Sequence, residues 1–259
     1  MSAEEHRRLF DLTGRCAVVT GAGRGIGFSL AEGLAAFGAS VVIAELDPVT
    51  AESAAARLGA QGLNAIGVAC DITDTPQFRG LLDRAEAEFG AVDILVNNAG
   101  VSARIAAEEY PDDNYHRMVA LNQTAVFFGM RDLAKRWIDA GRGGSIINLA
   151  SFAGLVADPM SVPYAMTKGA VVQLTRTAAV EWADKGIRVN AIAPGYVRTE
   201  MTAHTLDTPA AGAVIQAKTA LGRAGRTDEM IGAVVFLASD ASAYVTGTIV
   251  PVDGGWTAM

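Results

Sequence analysis

Seven short apolar runs alternate with longer segments of helical periodicity, and that alternation leaves few folds open to the chain. The runs cover 16–20, 40–44, 65–70, 92–96, 145–149, 187–193 and 248–252, and the helical patterns cover 24–37, 48–59, 75–89, 115–138, 164–183 and 227–238. A strand that is apolar throughout has no solvent side, so these runs belong to a parallel sheet covered on both faces. Right-handed crossovers then wind the chain into a doubly wound α/β sheet. A hydrophobic share of 51% supplies the core, and a charged share of only 19% argues against disorder. No repeat, low-complexity tract or Pro/Gly/Ser linker divides the chain, so a single domain is expected over 1–259. The segment 199–224 breaks the rhythm, and a long irregular insertion at that point is expected to be a lid over the substrate.

Several function classes are closed off. With 28 acidic against 21 basic side chains the formal net charge is -7, which repels nucleic-acid phosphates and anionic membrane faces. No stretch comes near the roughly 18 uninterrupted apolar residues of a membrane helix. Residues 1–10 are polar and charged and lack the apolar centre of a signal peptide, so a cytoplasmic location is expected. Neither nucleic acid nor membrane is expected as a partner. Cys16 and Cys70 lie in or at the end of apolar runs and read as buried, reduced thiols. His6, His116 and His204 are scattered, no His/Cys ligand spacing occurs, and no metal site is expected.

Between the first run and the first helical segment stands Thr20-Gly21-Ala22-Gly23-Arg24-Gly25-Ile26-Gly27. Glycines let a backbone approach a pyrophosphate, and a helix N-terminus favours its charge. Such turns also serve merely to reverse a chain; the placement between strand and helix points to dinucleotide binding. Glu45 ends the second run, where a carboxylate accepts hydrogen bonds from ribose hydroxyls and repels a 2'-phosphate. Arg24 argues the other way if it sits near that phosphate; its alternative is a position facing solvent or the pyrophosphate. The balance favours NAD over NADP, because the repulsion from Glu45 would be close and direct. Asp47 reads as a helix N-cap, with a contribution to the same NAD bias as the alternative. Asp71, after the third run, can accept from the adenine amine or cap a turn. Leu46 and Ile72 stand next to Glu45 and Asp71 as further cofactor contacts.

Tyr164 and Lys168 are four positions apart on an expected helix and share a face. An anchoring tyrosine beside a solvated lysine is the plain reading. The chemical reading has a cause: a neighbouring ammonium stabilises a phenolate and lowers its pKa, so that Tyr164 can exchange a proton with an alcohol or ketone. Ser151 follows the fifth run, where it would face the ligand crevice and hydrogen-bond a substrate oxygen; a loop-capping role is the alternative. Asn122 lies in a largely apolar helical segment, and a buried amide needs partners. It either holds a water that feeds Lys168 or bends the helix.

Together these residues resemble the short-chain dehydrogenase/reductase family over nearly the whole chain. The pattern T-G-x-x-x-G-x-G is met at 20–27, N-N-A-G at Asn97-Asn98-Ala99-Gly100, and the ending V-D-G-G at Val252-Asp253-Gly254-Gly255. The resemblance places a catalytic tetrad at Asn122, Ser151, Tyr164 and Lys168. It implies cofactor contacts from Gly21, Gly25, Ile26, Gly27, Asn98, Ala99, Gly100, Tyr164, Lys168, Pro194, Gly195, Val197 and Thr199. It also implies a Rossmann-type seven-stranded parallel sheet in the order 3-2-1-4-5-6-7, metal-free hydride transfer and a homotetramer. The residues hint at association independently. Over 164–183, Ala165, Met166, Ala170, Val171, Val172, Leu174, Ala178, Ala179, Val180 and Trp182 spread around more of the helix than one sheet-facing stripe needs.

The stretch 193–202 is similar to sugar-acid and polyol dehydrogenases of the gluconate 5-dehydrogenase and galactitol dehydrogenase types, which implies a polyhydroxylated substrate. Arg104 either reaches a substrate carboxylate or hydroxyls, or is an exposed loop arginine. Ser102, Phe152, Ala153, Gly154, Tyr196 and 202–206 are expected in the pocket wall. Their small or apolar character also suits a modest ketone, so an acyl-thioester ketoreductase stays a rival, as does a non-catalytic nucleotide-binding protein on the same fold.

Overall fold

A computed structural model describes residues 2–259, with the side chains of Ala3, Met201, His204, Thr205 and Ala211 outside the description. In chain order the elements are α1 (Ala3–Arg8), β1 (Cys16–Thr20), α2 (Gly25–Ala36), β2 (Ser40–Glu45), α3 (Pro48–Gly59), β3 (Ala65–Ala69), α4 (Thr75–Phe89) and β4 (Val92–Asn97). They continue with α5 (Asp112–Val119), α6 (Ala125–Asp139), β5 (Gly144–Leu149), α7 (Val162–Trp182), β6 (Ile187–Pro194), α8 (Glu200–Leu206), α9 (Pro209–Lys218), α10 (Ile231–Ala238) and β7 (Ile249–Val252). The strands form one seven-stranded sheet in the order β3-β2-β1-β4-β5-β6-β7, and every pairing is parallel.

Successive strand residues feed two different cores, as the two-residue side-chain period requires. Ala17, Val19, Val41, Ile43, Ile94 and Val96 pack with α2, α3 and α10 through Leu30, Leu34, Leu58, Val234 and Leu237. Cys16, Val18, Val42, Ala44, Leu95 and Ile146 pack with α4, α6 and α7 through Leu81, Leu82, Met130, Leu133 and Val171. Each fully buried leucine contributes about 1.5–3 kcal/mol. Burial on both faces holds for β1, β2, β4, β5 and β6; the edge strands β3 and β7 are only partly covered. Cys16 and Cys70 are buried free thiols, Cys70 just past the end of β3, and burial pushes them up to about 12 and about 11.

Two expectations need correction. The helix expected over 115–138 is α5 and α6 joined by a π turn at Ala120–Thr124. Apolar periodicity runs through the joint, so the sequence pattern does not reveal the wider turn. Its cause is tertiary: the Asn122 amide is drawn to the loop after β4, which the next subsection describes. The segment 199–224 is not irregular, because α8 and α9 occupy most of it. Their short length hid them. Among the described residues, no helix is long and apolar enough to cross a membrane.

Candidate active site

The carboxyl ends of β1, β2, β4, β5 and β6 open into one cleft of about 1190 Å³. Every residue expected to contact a cofactor lines it, from Gly21 through Glu45, Leu46, Asp71 and Ile72 to Val197 and Thr199. The glycine turn leaves no room for side chains. Gly21 has φ 61°, and a Cβ there would lie 2.8 Å from Ala99 Cα; at Gly27 it would lie 2.3 Å from Gly21 O. The turn is fastened to the loop after β4: Asn98 Nδ2 donates to Thr20 O at 2.8 Å and to Gly21 O at 2.9 Å. Thr20 Oγ1 accepts from the backbone N–H groups of Asn98 and Ala99, both at 3.1 Å. No side chain caps the start of α2, so its first amides face the cleft with a partial positive charge. This arrangement fits a pyrophosphate.

Glu45 folds back over the turn. Its Oε2 accepts from Gly23 N at 3.2 Å and its Oε1 from Leu46 N at 2.9 Å. Arg24 is exposed and pairs with Glu200 of α8 at 3.4 Å. Asp47 caps α3 through Thr50 N. Asp71 Oδ1 accepts from Thr73 N at 2.9 Å and from Thr73 Oγ1 at 2.7 Å, so it caps a turn at the cleft wall.

Ser151, Tyr164 and Lys168 meet at the inner end of the cleft. Ser151 Oγ accepts from Ala153 N at 3.2 Å, which is the loop-capping role, and its hydroxyl neighbours the Tyr164 phenol. Lys168 is buried and donates to Leu149 O at 2.6 Å. Its ammonium stands 5.7 Å from the Tyr164 ring centre. The expected lowering of the Tyr164 pKa is not what this arrangement produces. Burial pushes the phenol up, Ser151 opposes that, and Asp158 adds to it. Lys168 does not offset the burial, because its ammonium is turned to a backbone carbonyl and is itself lowered to about 8 by desolvation.

Asn122 is fully buried behind this group. Its amide pairs with the backbone of Val101, accepting from N at 2.9 Å and donating to O at 2.8 Å. A Cβ on Gly100 would come within 3.2 Å of Asn122 Oδ1 and 3.7 Å of Lys168 Nζ, so the loop after β4 lies directly against both. Underneath, Asn97 donates to Asn148 at 2.9 Å and Asn148 to Thr175 at 3.0 Å, which ties β4, β5 and α7 together.

The outer wall departs most from expectation. Ser102, Phe152, Tyr196, Thr202 and Leu206 line the cleft, but Ala153, Gly154 and Ala203 do not. Ala153 is buried, and Gly154 packs against the backbone of α7, where a Cβ would meet Lys168 C at 2.7 Å. The expected contacts of His204 and Thr205 lie outside the described residues. Arg104 is neither free nor merely exposed. It donates to Asp158 Oδ2 at 3.0 Å, Tyr196 Oη at 3.1 Å and Pro159 O at 2.9 Å. Asp158 also accepts from Ser161 Oγ at 3.0 Å and Tyr196 Oη at 3.3 Å. Tyr196 packs against Phe152 and Trp256 with ring centres 5.1 Å away in each case. Met160, beside this cluster, is the one non-glycine residue at positive φ among the described residues. Asp158 was missed by sequence reasoning; the signal was its position as the lone charge between residues 152 and 167.

Known proteins are similar to this chain over nearly its whole length. Residues 21–257 match the family described as Enoyl-(Acyl carrier protein) reductase. The chain is 40% identical to gluconate 5-dehydrogenase of Gluconobacter oxydans (strain 621H), over 97% of this chain and 98% of the other. It is 39% identical to galactitol 2-dehydrogenase (L-tagatose-forming) of Cereibacter sphaeroides, over 98% and 99%. The crystal structure of a gluconate 5-dehydrogenase from Burkholderia cenocepacia J2315, in complex with NADP and tartrate, superposes with a TM-score of 0.93 at 40% identity, over 97% and 98% of the two chains.

Proposed function

Because the chain belongs to the short-chain dehydrogenase/reductase family and its similar relatives are named as gluconate and galactitol dehydrogenases, we propose that it interconverts a secondary alcohol and a ketone on a sugar-like, polyhydroxylated substrate. The observation that carries this reading is the meeting of Ser151, Tyr164 and Lys168 at the inner end of the cleft. A bound nicotinamide supplies the hydride acceptor or donor. Tyr164, whose burial holds the phenol protonated, gives its proton to the carbonyl oxygen in reduction; in oxidation it takes the hydroxyl proton after it has released its own. Ser151 hydrogen-bonds that oxygen while holding the Tyr164 hydroxyl. Lys168 holds positive charge near the phenol, and Asn122 braces the Val101 loop against the same site. The polyol and sugar-acid activities of the relatives support the substrate class. They weigh against the acyl-thioester and non-catalytic alternatives.

For the cofactor, Glu45 over the glycine turn favours NAD(H), since its carboxylate can accept from ribose hydroxyls and repels a 2'-phosphate. A second reading has its own observations: Arg24 stands exposed at the same turn, and a relative binds NADP. Segment 199–224 acts as the lid, with Thr199, Glu200, Thr202 and Leu206 facing the cleft. A homotetramer fits the apolar residues left exposed on α6 and α7, Phe127, Met166 and Val180 among them; a monomeric mass by light scattering would overturn it.

The test is reduction of NAD and of NADP with a panel of polyols and aldonates, repeated with Tyr164→Phe. Turnover should fall by about 10²–10⁴-fold in the variant while cofactor affinity holds. Equal turnover by both proteins, or none on any alcohol or ketone, would remove the proposal.

A further inference from the structure

We infer that Asp158 determines specificity: its carboxylate suits the pocket to the hydroxyls of an uncharged polyol or ketose and turns away substrates that carry a carboxylate at that end. This rests on the alcohol–ketone reading above and narrows its substrate class. Arg104 and Arg117 both line the cleft, but Arg104 is the cation that stands against Asp158, and its guanidinium is already engaged by Asp158, Tyr196 and Pro159 O. The Asp158 side chain is only 10% exposed, so little water screens its charge inside the cleft. A carboxylate can only accept hydrogen bonds, so a substrate carboxylate and Asp158 have nothing to share. A substrate carboxylate that took the Nη1 hydrogens of Arg104 would displace Asp158 and leave a mostly buried acid without its cation, and one that took the remaining hydrogens would still lie close to the Asp158 charge. A substrate hydroxyl meets no such barrier, because it can donate to Asp158 and leave the ion pair intact. The reach of this charge is visible in the neighbouring phenols: Asp158 raises the pKa of Tyr164 and of Tyr196 alongside the larger effect of burial.

Tartrate and threitol share a four-carbon skeleton and differ in charge, so they serve as probes. Each is titrated calorimetrically into the full chain saturated with whichever nicotinamide dinucleotide it binds, for the natural protein and for Asp158→Asn. Tartrate affinity relative to threitol should rise at least tenfold in the variant. A ratio within twofold of the natural protein overturns the inference, as does failure of both ligands to bind either protein. If Asp158→Asn does not show a cooperative melting transition, Asp158→Ser, which keeps an acceptor for Arg104 in a smaller side chain, replaces it with the same expectation. Absence of turnover on every alcohol and ketone would remove the proposed reaction, while the titration would still decide the role of Asp158.

Discussion

The two walls of the cleft are held by different kinds of contact. On the cofactor side, the glycine turn and the loop after β4 interlock through backbone groups, the Thr20 hydroxyl and the Asn98 side-chain amide, with no space for a Cβ at Gly21 or Gly27. On the substrate side, side chains from three separated loops meet in the Arg104–Asp158–Tyr196 cluster, backed by Phe152 and Trp256. The first wall is steric and tolerates almost no substitution. The second is electrostatic, so a single side chain can change which ligand it accepts without changing the fold. Lys168 lies where they join, against Gly100 on one side and beneath Tyr164 on the other.

The largest effect is expected at that junction. Lys168→Met should lower kcat/KM by about 10²–10⁴-fold and yet raise the melting temperature, because a buried ammonium is removed. Steady-state kinetics and a thermal melt on one sample check both; a lower melting temperature would mean that the bond to Leu149 O outweighs the desolvation.

The same group sets a pH dependence. Burial lowers Lys168 from 10.5 to about 8, so between those pH values the unfolded chain binds a proton that the folded chain lacks. Stability therefore rises with pH across that window, and below it the cost is fully present, on the order of 3 kcal/mol. Urea unfolding between pH 7 and about 10.5, compared with Lys168→Met, isolates this contribution.

Gly27→Ala probes the steric wall. A methyl group 2.3 Å from Gly21 O must push the turn apart, which costs about 1–3 kcal/mol in stability and should weaken cofactor binding, read by fluorescence titration. A variant with unchanged affinity would show that this wall is softer than its contacts indicate.

Glu45→Gln should shift the kcat/KM ratio toward NADP by about tenfold, one charge removed beside the 2'-position being worth roughly 1–4 kcal/mol at close range. A ratio that does not move would assign the choice to Arg24.

The smallest effect belongs to the electrostatic wall. Tyr196→Phe loses the contacts to Arg104 and Asp158 but keeps the aromatic packing, so it should cost about 0.5–1.5 kcal/mol and change KM more than kcat.

Much of this molecule was legible beforehand because its determinants are local. Apolar runs set the strands of a two-face sheet, and glycines placed between strand and helix announced the nucleotide turn. Tyr164 and Lys168 at a spacing of four announced a shared helical face. Matches to family relatives agree with the fold and enzyme class that those patterns implied. Less legible were the π turn at Ala120–Thr124, which follows from Asn122 reaching Val101, and the displacement of Ala153 and Gly154 from the pocket wall by packing against α7.

What the chain determines by itself is therefore the strand and helix order, the glycine turn between β1 and α2, and the spacing that puts Tyr164 and Lys168 on one helical face. Periodicity and spacing encode these within a few residues of one another. The charge state of the site was decided only by tertiary structure. Burial and hydrogen-bond partners set the pKa values of Tyr164 and Lys168, and the pairing of Arg104 with Asp158 joins residues 54 positions apart. Desolvation and long-range ion pairing arise only when the loops close on one another, so no local pattern records them.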